Sequence, residues 1–247
     1  MMQYPRLFVK SLFLFSTLSA ALLALDGSVS LTLSVNGTTE VEVYRGWPLL
    51  VDVRAVFEDG EPVPLQWPSP VHLTIRDATA AVIWPLQLAA TPEGVVTVAE
   101  DRTADALWSL SGDATLALKT GTYTVQADHP ACGKSRVILL KISDEPAELS
   151  REQGSLKGRL RSRYEEVAGT REAALQILDD WLATMPDDIA VLSQKADLLD
   201  DMERFADALN SAELALRAFR DQFKQAPHPP FALLRRIRGL QDKAKSN

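Results

Sequence analysis

Two periodicities divide the chain. Over residues 26–143 apolar positions recur every second residue, and over 155–247 they recur at intervals of three and four. Val29, Leu31, Leu33 and Val35 alternate with Ser30, Thr32 and Ser34, which predicts a strand buried on one face. Val41 and Val43 alternate with Glu40 and Glu42 on the far side of Asn36-Gly37. Parity selects a three-residue loop at 36–38, because a two-residue loop sets Leu33 against Glu40. The predicted hairpin pairs Leu33 with Val41 and Leu31 with Val43. Further strands are predicted at 49–57, 71–75, 81–88, 95–98, 106–110, 115–118, 122–127 and 137–142. Pro62, Pro64, Pro68 and Pro70 predict a loop, since proline removes ladder donors, and Pro85 predicts an edge or bulged strand. Many short strands, frequent turns and no helical pattern predict an antiparallel sandwich. Trp47, Trp84 and Trp108 are its candidate apolar anchors.

Asp144-Glu145-Pro146 marks the boundary, with Asp144 able to cap a helix and Pro146 suited to its first turn; residues 144–154 read as linker or helix start. Leu149, Leu156, Leu160, Tyr164 and Val167 form an amphipathic stripe, weakened by Gly154 and Gly158 and ended by Gly169. The next helix carries Ala174, Leu175, Leu178, Trp181 and Leu182. Pro186 and the acids Asp187 and Asp188 make a turn, and Leu192, Ala196 and Leu199 follow on another helix. A turn near Glu203 leads to Phe205, Ala208, Leu209, Ala212, Ala215 and Leu216, and a proline-bearing segment, 225–230, precedes a last helix at 231–240. Ala174 and Leu175 recur as Ala208 and Leu209, an offset of 34 residues (208 − 174), and Leu182 recurs as Leu216. A two-helix unit of about 34 residues is a repeat period.

On these residues the stretch 172–219 resembles a tetratricopeptide repeat. Leu192, Ala196 and Leu199 match the bulky–small–bulky first helix, Phe205 the aromatic before the second, and Ala208 and Ala215 its small contact points. Pro186 matches the closing proline, which is replaced by Arg220 one period later, and Trp181 stands where a small residue is usual. Residues 118–125 have the form L-x-x-G-x-Y-x-V, which resembles the tyrosine corner of immunoglobulin-like and fibronectin-like modules and implies that the Tyr123 hydroxyl bonds back to the backbone. Together the resemblances imply two domains: an all-β immunoglobulin-like sandwich, then an all-α tetratricopeptide-like array of helical hairpins. By the tetratricopeptide resemblance, Ser193, Asp197, Asp200 and Asp201 face a concave groove whose acidity suits a protein or peptide of basic character; the alternative is a solvated acidic face. The Lys, Arg and Asn set by which chaperone-tail binders hold a carboxylate is absent. Such arrays need about three repeats, so Trp181 or the last helix is expected to dock on the sandwich or on a second copy.

The N-terminus sets the compartment. Arg6 and Lys10 precede an apolar run at 11–25, the layout of a secretory signal (1–25) cleaved after Ala21 or Ala24. Alternatives are a buried core helix or an uncleaved anchor, the chain's one membrane attachment; no cysteine follows the run to accept a lipid. The protein is therefore expected in the periplasm or outside the cell. A net charge of −7 argues against nucleic-acid binding. The single cysteine, Cys132, forms no intrachain disulfide and reads as a small apolar residue. Asn36-Gly37-Thr38 matches a glycosylation sequon but reads first as a turn.

No catalytic, phosphate-binding or metal motif is present. His72, His129 and His228 lie in unrelated contexts, and His129, close to Cys132, reads as a loop histidine. The paired acids 179–180, 187–188 and 200–201 diverge by about 100° on a helix and make no dyad. No catalytic residue, cofactor or metal is expected, which leaves a non-enzymatic interaction or scaffold module of the cell envelope. One alternative is a carbohydrate- or surface-binding protein using Trp47, Trp67, Trp84 and Trp108, with Trp67 the most exposed; another is an accessory subunit of an envelope enzyme. The basic clusters Lys157, Arg159, Arg161, Arg163 and Arg235, Arg236, Arg238 read first as solvated charge and salt links to neighbouring acids, with contacts to anionic lipid or polysaccharide as the alternative.

Overall fold

The computed structural model describes residues 28–37, 40–89, 91, 93–226 and 228–246. The expected signal segment, 1–25, lies outside them. A sheet-rich region comes first and a helical region second. Strands β1 (Ser28–Val35), β3 (Leu49–Asp59), β9 (Ala104–Leu110) and β7 (Gln87–Leu88) form one sheet in that order. The second sheet runs β2 (Glu40–Tyr44), β12 (Ile138–Ser143), β10 (Gly121–His129), β5 (His72–Arg76), β6 (Ala81–Val82), with β11 (Gly133–Lys134) beside β10. A separate ribbon pairs β4 (Val63–Trp67) with β8 (Gly94–Val98).

Alternation aims one side of the longer strands inward. Leu31, Leu33, Val35, Val51, Val53 and Ala55 from the first sheet meet Ile75, Val125, Ile138, Leu140 and Ile142 from the second in one core. The Tyr123 hydroxyl, beside this core, donates to the Lys119 carbonyl at 2.9 Å, as the sequence implies. Trp84 meets the Tyr123 ring edge-on at 5.1 Å and is an anchor as expected. Trp108 packs on the same core, part-buried.

Four local expectations need correction. The predicted 36–38 hairpin does not form: Leu33 pairs with Val53 and Leu31 with Ala55 on β3, while β2 runs parallel to β12 in the other sheet. Asn36 is the pivot, its N–H donating to the Leu50 carbonyl at 2.8 Å and its side-chain oxygen accepting from the Leu50 N–H at 2.9 Å. The proline-rich loop contains a strand, β4, which tolerates Pro64 because it bonds a single neighbour, β8. The predicted strand at 81–88 is broken around Trp84-Pro85 into β6 and β7, which join different sheets. The predicted strand at 115–118 is instead a short helix, α1 (Gly112–Leu116), capped by the Ser111 hydroxyl accepting from the Ala114 N–H at 3.1 Å.

Five helices follow: α2 (Arg151–Val167), α3 (Arg171–Thr184), α4 (Ile189–Asp201), α5 (Phe205–Gln222) and α6 (Phe231–Ser246). No helix among the described residues is long and apolar enough to cross a membrane. Asp144 does not cap α2; it pairs with Arg45 at 2.9 Å. Ser150 is the cap, in a reciprocal capping box with Gln153. Gly169 ends α2 with φ of 84°, letting the Thr170 N–H reach the Glu165 carbonyl at 2.9 Å. The same stop recurs 34 residues later (203 − 169): Glu203, with φ of 59°, lets the Arg204 N–H reach the Leu199 carbonyl at 2.8 Å. Leu192, Ala196 and Leu199 of α4 pack against Ala208, Ala212 and Ala215 of α5, and Leu233, Ile237 and Leu240 of α6 complete that core.

Helix α2 joins the two regions. Its Gly154 faces the Trp181 ring so closely that a Cβ there would stand 2.4 Å from Cη2. Trp181 therefore docks on α2, and α6 on α5; neither packs on the sandwich as expected. What meets the sandwich is the other side of α2. Leu156, Leu160 and Tyr164, four residues apart, share a cluster with Trp47, Leu50, Tyr44 and Leu107. Trp47, expected as a core anchor, lies at this junction instead.

Candidate functional site

The expected acidic groove on α4 is not open. Asp197 forms an ion pair with Arg236, and Asp200 bonds Lys243 at 2.7 and 2.8 Å, both bases from α6. The Ser193 hydroxyl donates back to the Ile189 carbonyl at 2.7 Å. Asp201 is exposed, and its carbonyl accepts from Arg171 at 3.1 Å. Ser193, Asp197, Asp200 and Asp201 thus share a helix but form no common binding surface. The chain's own last helix supplies the basic segment that the groove was expected to hold. The sequence reading of the 235–238 cluster as linked to neighbouring acids holds for Arg236, which reaches Asp197 two helices back.

Trp67 is not exposed. It is 1% accessible, packs in the sandwich core, and its Nε1–H donates to the Asp105 carbonyl at 3.0 Å. Val63, Leu65 and Trp67 alternate inward along β4, which is why the ring turns in. With Trp47 also 1% and Trp84 8% accessible, these three rings offer no platform for stacking a sugar; Trp108 is part-buried.

His129 is a buried strand residue, not a loop histidine. Its Nδ1 accepts from the Ala131 N–H at 3.1 Å, which leaves the proton on Nε2, 3.1 Å from the Gln66 carbonyl. Both ring nitrogens are engaged with backbone, so no Cys132–His129 couple forms. Burial pushes the Cys132 thiol up to about 11, the opposite of activation. Among the described residues no group of three or more His, Cys, Asp or Glu is placed to hold a metal.

The densest unassigned chemistry lies where α2 meets the sandwich. Residues 157, 159, 161 and 163 look like one basic cluster in sequence, but residues two apart on a helix diverge by about 200°. Lys157 and Arg161 therefore take one flank of the leucine seam and Arg159 and Arg163 the other. On the first flank Lys157 bonds Glu145 at 2.7 Å and sits 5.8 Å over the Trp47 ring. Gln153 donates to the Tyr44 hydroxyl at 2.9 Å. On the second flank a cleft of about 240 Å³ opens between sheet and helices. Its apolar wall is Leu50, Leu107, Leu156 and Leu160; its polar wall is Asn36, Asp52, Arg159, Arg163 and Gln194. Burial raises the Asp52 carboxyl above its ordinary value, with Asp105 adding to the rise and Arg54 and Arg163 opposing it. Arg163 is held by Glu166. The Arg159 Nε–H is buried and has no acceptor among the described residues.

No protein-family model matches the chain, and no curated protein sequence matches it. Among solved structures it is similar to a beta-glucosidase from Listeria innocua, solved in complex with glucose, at 13% identity and a TM-score of 0.30. That likeness covers 47% of this chain and 16% of the enzyme, so the chain spans under a fifth of that protein's length. A likeness of this size assigns neither fold nor chemistry.

Proposed function

We propose that the chain is a non-enzymatic interaction module of the cell envelope, in which an immunoglobulin-like sandwich carries a short tetratricopeptide-like array. The observation that carries the reading is the 34-residue recurrence, which reaches down to the left-handed helix stops at Gly169 and Glu203. Hairpins stacked at that period build extended surfaces, and such surfaces hold other macromolecules. The sandwich side is supported by β1 and β2 lying in different sheets, by the parallel β2–β12 pair, and by the Tyr123–Lys119 bond at the corner. The partner is a protein or peptide of basic character, matching the net charge of −7 and the exposed Asp201. Export rests on the positively flanked apolar run at 11–25.

Cell fractionation followed by affinity capture with the full chain tests this. The expected protein lies outside the cytoplasm, begins after Ala21 or Ala24, and retains a protein partner that elutes as salt rises. Recovery from the cytosol with residues 1–25 intact and nothing retained contradicts the proposal.

A further inference from the structure

We infer that the exposed stripe at the start of α6 is a docking surface for an anionic lipid bilayer. The inference does not depend on the interaction-module reading, and it concerns a part of the chain remote in sequence from the apolar run at 11–25.

Helical spacing sets the stripe. Phe231, Leu234, Arg235 and Arg238 stand at i, i+3, i+4 and i+7 and share one side of α6. Leu233, Ile237 and Leu240 take a different side and are buried in the core that α4 and α5 build. Packing of the array therefore explains the second set and not the first. Phe231 is 77% accessible, and Leu234 is exposed as well. A single exposed ring needs no explanation, but α5 ends, across the connecting loop, on a second one: Phe223 is exposed and stacks on Phe219 at 4.9 Å.

The charge here is opposite to that of the chain. Residues 220–238 hold five bases, Arg220, Lys224, Arg235, Arg236 and Arg238, and one acid, Asp221, a net of +4 (5 − 1). The rest of the chain carries −11 (−7 − 4). Arg236 is taken by Asp197, but Lys224, Arg235 and Arg238 make no ion pair or hydrogen bond among the described residues. The acids near Phe223 are already engaged, Asp187 by Arg151 and Gln222, and Glu152 by Ser150. Farther along the same side of α6, Asp242 and Lys245 offset each other.

Apolar side chains at the helix start with unpaired bases one turn behind them match the layering of a membrane surface. The rings enter the acyl boundary, and the bases meet anionic headgroups. A second copy of this chain would bring the same positive charge to the contact and be repelled.

The test is sedimentation of the full chain with vesicles of phosphatidylcholine alone and of an equal mixture of phosphatidylcholine and phosphatidylglycerol. The mixed vesicles are expected to bind about tenfold more tightly or better, and raised salt to release the protein. Each Lys or Arg near an anionic surface strengthens binding about fivefold, so R235Q with R238Q should weaken it roughly twenty-fivefold. Phe231→Ser should weaken it about tenfold by removing the buried ring. Neither variant should move the melting temperature of the free protein, because these side chains are exposed. Attachment through 11–25 would instead be equal on the two vesicles and indifferent to both variants. No vesicle binding, equal binding to the two vesicles, or an affinity that either variant leaves unchanged overturns the inference. So does a free dimer that Phe231→Ser converts to monomer, which would give the stripe to a second copy.

Discussion

Gly154 and Trp181 each look wrong alone. Glycine inside a helix costs about 1 kcal/mol relative to alanine, and an indole on the face that α3 turns to α2 invites a clash. Together they fit: the ring lies on the bare backbone of α2, where a Cβ would stand 2.4 Å from Cη2. Two effects of Gly154→Ala therefore oppose each other, a propensity gain of about 1 kcal/mol and an overpacking cost of about 1–3 kcal/mol. Overpacking wins, because the contact falls on a ring that is itself held by its Nε1–H bond to Asp188 at 2.8 Å. Urea denaturation should show Gly154→Ala less stable by about 1–2 kcal/mol. It should also show the change nearly harmless in a Trp181→Ala background, since the two residues touch and are not additive. Both oddities were legible in the sequence; that each explains the other was not, because they are 27 residues apart (181 − 154) and meet only through helix packing. Trp67 is the reverse case. Its inward parity with Val63 and Leu65 was legible, and the flanking prolines masked it.

Local signals located most elements and misplaced their partners. The period-two stretches became β1, β2, β3, β5, β8, β9, β10 and β12, and the predicted helices became α2 to α6. Pairing is long-range, and the alternation of β1 is satisfied as well by β3 as by β2, so the sequence pattern did not decide it. The 115–118 run was too short for its period to separate strand from helix, and the Ser111 cap decides for helix. The turn before α4 carries an electrostatic prediction. Asp188 caps α4 through bonds from the Ala190 and Val191 N–H groups, both 3.1 Å, and accepts from Trp181. Burial alone would raise its carboxyl, but hydrogen bonds from Ser155, Trp181 and the two amides outweigh burial and hold it below the ordinary value. A carboxyl depressed in the folded state stabilises the fold above the unfolded value, near 3.9, and loses that contribution as pH falls through the folded value. Asp188→Asn should therefore be less stable than the parent at neutral pH, with the gap closing below about pH 4. Urea midpoints measured between neutral pH and acid check it; a gap that is constant with pH rules out the carboxylate's role.

At the scale of the molecule, the sandwich and the hairpins are joined through one helix with two dissimilar sides. The side toward α3 is smooth, so Trp181 can lie on Gly154; the side toward β3 and β9 is a leucine seam, closed over Trp47. Half of that seam was readable: Leu156, Leu160 and Tyr164 form a helical stripe. Their counterpart was hidden in an irregularity. Leu50 lies on the outward side of β3, next to the inward Leu49 and Val51, and Leu107 does the same on β9. Apolar residues on what should be a solvated sheet face announce that something covers it. This junction is what makes one body of the sheets and the helices, so its integrity is the account's central claim. Differential scanning calorimetry of the full chain and of Trp47→Ala tests it most directly. With sandwich and array locked through Trp47, the parent should unfold in one cooperative transition. Trp47→Ala, by emptying the seam, should lower stability by about 3–5 kcal/mol and split the trace into two transitions. A parent that already melts in two independent steps, or a Trp47→Ala trace that overlays the parent's, would contradict it.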